Sequence, residues 1–197
     1  MKRLVISSLV IVFFAAFIQV EMEQVKVNKR IKITIPKEFY RMSDQDIVKT
    51  YGMSRIPTAV YSNRERDINV SVNEIKDTIA AEKKADSYEG TKDYSKRSLQ
   101  LEKEFMKSSL RAEYKDIEFL KDTIVEKDGK NFSVLEFTGK IVGENRKGDE
   151  TRSELYTYMQ FAFHKENKYV FNMSLPQDKM NEWKPIAHEI MNSVNIK

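Results

Sequence analysis

From residue 26 to 35 the apolar side chains Val27, Ile31, Ile33 and Ile35 fall on alternate positions, which predicts a first strand. Pro36, which cannot donate to a ladder, ends it. Ser43 before Asp44, Gln45 and Asp46 predicts a capped short helix through Lys49 or Thr50, stopped by Gly52. Residues 58–62 and 67–73 alternate again, with Ile68, Val70 and Val72 on one face, and the polar turn 63–66 between them predicts a hairpin. Residues 74–90 are polar and weakly patterned, and predict an irregular or partly helical connection. From 91 to 114 the period becomes helical. Tyr94, Leu101, Phe105 and Ala112 lie near one line of a 3.6-residue wheel, with Leu99, Met106 and Leu110 beside it, a stripe wide enough to pack on a sheet.

The next segments, 117–126 and 131–142, flank Asp128-Gly129, a pair suited to the positive φ angles of a tight hairpin turn. A charged loop, 143–151, separates them from 153–164, where Tyr156, Tyr158, Phe161 and Phe163 put apolar groups at both parities. That pattern predicts a central strand covered on two faces. A turn at 165–167 leads to a last strand through Tyr169, Phe171 and Met173, ending near Pro176. Residues 178–194 close the chain with Met180, Trp183, Ala187, Ile190 and Val194 at helical spacing. Pro185 predicts a kink there or a helix that effectively starts near Asn181.

Several local features resemble the PsbP-like family: Ile33-Thr34-Ile35-Pro36, Pro57 with Val60-Tyr61-x-Asn63 leading into Ile68-x-Val70-x-Val72, and Trp183 in a terminal helix ending Asn192-Ser193-Val194. The likeness spans roughly residues 26–197. It implies an α+β fold, the three-layer α/β/α sandwich shared with the Ran-binding Mog-type proteins. A central, mostly antiparallel sheet would carry one long middle helix and one C-terminal helix. The plant members assist the photosynthetic oxygen-evolving complex and the Mog-type members bind a small GTPase. For a bacterial exported chain the resemblance implies a periplasmic protein of unknown specific role; the export signal, the fold pattern and the missing catalytic groups together point to a non-enzymatic protein acting through contacts with a protein partner.

Lys2 and Arg3 precede an apolar run from Leu4 to Ile18, the pattern of an export signal. The run contains Ser7 and Ser8 and is short against the roughly twenty residues that cross a bilayer. It predicts a signal peptide over residues 1–20 and a single domain over 21–197. The cut is expected near residues 19–21, and the protein would touch a membrane only if that segment stayed attached. Localisation is then periplasmic or extracellular. Cysteine is absent, which excludes lipoprotein anchoring, disulfides and thiolate chemistry. Cutting after residue 20 removes Lys2 and Arg3 and no acid, so the formal charge falls from +4 to +2. A balance so close to neutral argues against nucleic acid as a partner.

Chemistry is sparse. His164 and His188 have no second histidine at metal-ligand spacing, and no cofactor or metal is implied. The carboxylates at 44 and 46, at 113–118 and at 149–154 lie on turns and helix starts, where capping and solvation account for them. No nucleophile elbow, phosphate loop or zincin motif occurs, so no catalytic residue is assigned and the chain is read as non-enzymatic. The candidate binding loop is 51–57, in which Tyr51, Met53 and Ile56 surround Arg55, with the charged loop 143–151 second. The alternative function is a small-molecule or envelope-component binder with a pocket between sheet and helix, which needs a cavity of roughly 300 Å³ or more.

Overall fold

The computed structural model describes residues 20–52, 56–76, 96–144, 150–165 and 167–197. Among the described residues, ten strands and three helices form two antiparallel sheets and their covering layers. Strands β1 (Met22–Lys26), β2 (Ile31–Pro36) and β10 (Asn195–Ile196) make a small sheet in the order β1-β2-β10. Strands β3 (Tyr40–Arg41), β4 (Ala59–Ser62), β5 (Asn69–Lys76), β6 (Lys115–Lys127), β7 (Lys130–Glu144), β8 (Glu150–His164) and β9 (Asn167–Pro176) make the large one, ordered β3-β4-β5-β9-β8-β7-β6. The helices are α1 (Asp44–Tyr51), α2 (Lys96–Glu113) and α3 (Met180–Ser193).

Alternation along the strands assigns the layers. Ala59, Tyr61, Val70, Val72, Tyr156, Tyr158, Phe171 and Met173 turn to one face, where they join Ile31, Ile33 and Ile35 of β2 and Trp183, Ala187 and Ile190 of α3 in the main core. The opposite parity packs elsewhere. Val60 meets Met42 and Ile47 beside α1, while Leu135 and Phe137 meet Leu110 of α2. The large sheet is therefore the middle of a three-layer sandwich, with α3 and the small sheet on one side and α1 and α2 on the other.

The short helix has the predicted caps: the Ser43 hydroxyl accepts from the Asp46 amide at 3.1 Å, and Gly52 ends α1 at φ 72°. Asp128 and Gly129 both take positive φ, 51° and 69°, and close β6 onto β7 as a two-residue hairpin. Both parities of β8 are buried, as a central strand requires: Thr157 and Phe161 are covered as fully as Tyr156 and Tyr158. At Gly139 the ring of Tyr114 lies 3.0 Å from where a Cβ would sit, so the glycine lets α2 settle onto the sheet.

Three expectations change. The strand foreseen over 26–35 is a hairpin, because the Asn28 side chain accepts from the amides of Arg30 (2.8 Å) and Ile31 (3.0 Å) and turns β1 back along β2. Residues 74–76 continue β5 rather than opening an irregular connection, and 77–95 lie outside the described residues, as does Tyr94. On α2 the foreseen central line is outward. Leu101 is 67% and Phe105 68% exposed and Ala112 is exposed too, whereas Leu99, Met106 and Leu110, the flank of the stripe, face the sheet. The buried cation on that inner face shifts the helix: Lys103 is paired to Asp122 of β6 and almost covered.

Helix α3 begins after a short 3-10 turn (Gln177–Lys179) and runs without interruption through Pro185. Proline there cannot donate to the Asn181 carbonyl, and both residues are exposed, where water can take the free acceptor. Three side chains fix the far end of α3: Ser193 Oγ accepts from the Thr34 amide at 2.7 Å, Gln160 donates to the Met191 carbonyl at 2.9 Å, and Lys127 donates to the carbonyls of Asn192 and Val194. A cation at a helix C-terminus also answers the helix dipole. The export segment expected over 1–20 lies outside the described residues except for Val20, and among the described residues no helix is long and apolar enough to cross a membrane.

Candidate functional site

At one end of the sandwich the β4–β5 turn faces the start of α3 across an open cleft of about 530 Å³. Its lining combines Glu38, Asn63, Arg64, Glu65, Ile68, Lys179, Glu182 and Trp183. The turn is held from within. Asn63 is 6% exposed; its side-chain oxygen accepts from the amides of Asp67 and Ile68, both at 3.1 Å. Its amide nitrogen donates to Glu65 at 3.0 Å and to Asp67 at 2.7 Å. A side chain that meets four partners while buried fixes one conformation of the wall, since releasing it leaves several polar groups unmatched.

The opposite wall is anchored by Lys179, whose ammonium lies 2.7 Å from Asp67. That hydrogen bond holds the Lys179 pKa above its ordinary range. Partial burial pushes the Asp67 carboxyl up, but the bonds from Lys179 and Asn63 outweigh it and leave it below the usual carboxylate range. The floor is apolar: Ile68 is fully buried, and Trp183, 8% exposed, packs at a tilt on Phe39 with ring centroids 5.8 Å apart. An aromatic floor, rigid walls and charged rims can bind a segment that is part apolar and part ionic.

A second polar group lies under the flank of α3. Glu136 of β7, with 2% of its side chain exposed, takes Lys184 at 2.7 Å on one oxygen and the His188 ring nitrogen at 3.0 Å on the other. Burial raises the Glu136 pKa, yet the Lys184 bond and the His188 charge more than offset it and leave the carboxyl low. His188 also meets the Tyr158 ring edge-on at 5.0 Å, and burial, with the Glu136 charge behind it, pushes the Tyr158 phenol up to about 12. The same causes drive Tyr156 higher still. The cluster, His188 included, ties helix to sheet. His164, at the end of β8, has its pKa lowered by burial and by Lys130, Lys165 and Arg30.

The residues singled out from the sequence do not form the cleft. Tyr51 packs half-buried against Met42, Ile47 and Val60, so its ring belongs to the α1 cluster, and Ile56 is 48% exposed. Met53 and Arg55 lie outside the described residues, as does the middle of the charged loop, 145–149, whose flanks Glu144 and Glu150 pair across β7 and β8. Sequence reading missed Glu38, Arg64, Glu65, Lys179 and Glu182, which are ordinary turn and helix-start residues until the chain brings them together. Two signals were available. Asn63 precedes a polar turn, and Trp183 is the chain's only tryptophan. Among the described residues no group of three His, Cys, Asp or Glu side chains is placed to hold a metal ion.

No protein-family model matches this sequence, and no curated protein sequence does. Solved structures do. The solution structure of cyanobacterial PsbP (CyanoP) from Synechocystis sp. PCC 6803 is similar with a TM-score of 0.59 at 15% identity, over 90% of this chain and 94% of that one. The Ran-binding protein Mog1p of Saccharomyces cerevisiae gives 0.49 at 11% identity over 90% of this chain and 96% of its own. A Pseudomonas aeruginosa protein of unknown function gives 0.45 at 7% identity over 87% and 94%. At these identities the likeness is one of fold, and the fold of this chain is of the PsbP type.

Proposed function

We propose that this chain is an exported, non-enzymatic binding protein of the periplasm or cell envelope, and that it engages a protein partner at the cleft between the β4–β5 turn and α3. The observation that carries this reading is the internally braced cleft, with Asn63 and the Lys179–Asp67 pair on its walls and Trp183 on its floor. Rigid turns beside a tryptophan are the form that contact sites take on sandwich scaffolds. The charged, signal-like start of the sequence supports export, and the PsbP-type fold is compatible with a contact role.

A photo-reactive residue in place of exposed Arg64 tests the contact. It is expected to cross-link an envelope protein in the cell, while the same residue at exposed Ser108 on α2 captures nothing. Equal capture from both positions argues against the cleft. Export is checked on the same material, since the mature mass should lack the first twenty residues. The volume of the cleft, above the roughly 300 Å³ that a small-molecule site needs, favours a second reading as an envelope-component binder. A partner lost on adding a small envelope extract, with the free protein's melting temperature raised by that extract, would select it.

A further inference from the structure

Once Lys179 and Asp67 have neutralised each other, the cleft is left with unmatched groups of two kinds. The Glu38 and Glu182 side chains form no hydrogen bond or ion pair with the described residues, and the Glu65 carboxylate bonds only the uncharged Asn63 amide, adding its charge to the field at Lys179. Against these three carboxylates stands Arg64, the one cation of the lining without an acidic partner among the described residues. The floor supplies a donor. Trp183 lines the cleft and is more than nine-tenths buried, and its indole N–H makes no hydrogen bond with the described residues. Tryptophan N–H groups ordinarily find an acceptor when the ring is buried.

We propose that the cleft binds a basic peptide segment of the partner, a deepening that rests on the reading of this cleft as the contact site. The indole N–H of Trp183 and the guanidinium of Arg64 are donors for main-chain carbonyl oxygens. The carboxylates of Glu38, Glu65 and Glu182 receive a lysine or arginine head group, whose aliphatic stem lies over Trp183 and Ile68 as long cations do on apolar surface. A ligand with carbonyl acceptors alone leaves the carboxylates unmatched. A bare polyamine leaves the two donors unmatched. A peptide with basic side chains answers both.

Because Trp183 is the only tryptophan, its fluorescence reports the site directly. The full chain is titrated with three capped peptides free of aromatic residues: Gly-Lys-Gly-Arg-Gly-Ser, its counterpart with glutamate at both basic positions, and one with serine there; putrescine is the fourth arm. The basic peptide is expected to shift Trp183 emission saturably and to bind at least about tenfold more tightly than the other three, a factor worth about 1.4 kcal/mol. Raising NaCl from about 50 to about 500 mM, which shortens the screening length severalfold, is expected to weaken it. Replacing both Glu38→Gln and Glu182→Gln, exposed positions whose loss leaves the fold intact by circular dichroism, is expected to abolish the preference. Trp183→Phe, followed by calorimetry, should weaken binding about threefold. Tighter binding of the acidic peptide overturns the proposal while keeping the cleft as the contact site, and putrescine binding as tightly as the peptide removes the main-chain part of it. If no peptide of either charge perturbs Trp183, the proposed contact site falls together with its ligand.

Discussion

Glu136 interrupts the apolar parity of β7, between Val134 and Thr138, and its side chain is 2% exposed. A carboxylate so placed costs several kcal/mol to desolvate unless cations meet it. Lys184 and His188 meet it from successive turns of α3, so the pair is a registration device for that helix as well as an electrostatic one. The linkage has a definite sign. The folded carboxyl titrates below the ordinary glutamate value of 4.5, so its contribution is complete above that pH and is lost as the pH falls from there through the lower folded value. Glu136→Gln keeps the shape and removes the charge. It is expected to lower stability by about 1–3 kcal/mol at neutral pH. Chemical denaturation of both proteins from neutral pH to about pH 3 should show the difference shrinking only below the glutamate range. A difference that stays constant across that range would show that the ion pair contributes nothing and that packing alone seats α3.

At the scale of elements, α2 shows where the sequence stops being readable. The helical period over 96–113 is plain, as are the Ser43 cap, the Asp128-Gly129 turn and the two-sided burial of β8, because each depends on neighbours within a few residues. Which part of the α2 stripe turns inward depends on Asp122, beyond the helix, and on Leu135 and Phe137 of the sheet, against which Leu110 packs. Lys103 therefore lies inside and Phe105 outside, the reverse of their hydropathy. The cleft was unreadable for the same reason: Glu38, the 63–68 turn and the start of α3 are far apart in the chain. The β1 hairpin was hidden differently, since Asn28 supplies the turn that a smooth apolar alternation concealed. Lys103 and Lys107 both reach Asp122, which burial would otherwise push up and which their bonds hold below the ordinary aspartate range. Asp122→Ala strands the covered Lys103 ammonium and is expected to cost about 3 kcal/mol or more. Lys103→Met added to Asp122→Ala should recover most of that loss, as read by urea unfolding. Equal instability of the single and double variants would place the cost in the strand itself.

Across the whole molecule the two faces of the large sheet are unequal. On one, α3 and the small sheet close a continuous core reaching from Val27 and Ile31 to Ile196, with Tyr156, Phe171, Trp183 and Ile190 inside. On the other, α2 rests on a short cluster of Leu110, Leu135 and Phe137, with Tyr114 edge-on to Phe137 at 5.2 Å, and leaves Leu101 and Phe105 in water. Buried apolar area is the main source of stability, so opening one face costs far less than opening the other. The β4–β5 turn and the start of α3, which form the cleft, belong to the well-anchored face, and the binding end keeps its shape while α2 opens. Amide hydrogen exchange under native conditions is expected to show α2 and the edge strand β6 exchanging through a partial opening. The amides of β2, β8 and α3 should exchange only with global unfolding. Phe137→Ala, which removes the ring beneath α2, should speed exchange in α2 and β6 by the full cost of the cavity, about 3–5 kcal/mol at most, because the contacts it removes are already lost in the partial opening. Exchange in α3 would then rise only as far as global stability falls. If α2 and α3 instead exchange at one common rate in the unmutated protein, the two faces form a single cooperative unit, and the cleft cannot hold its shape independently of α2.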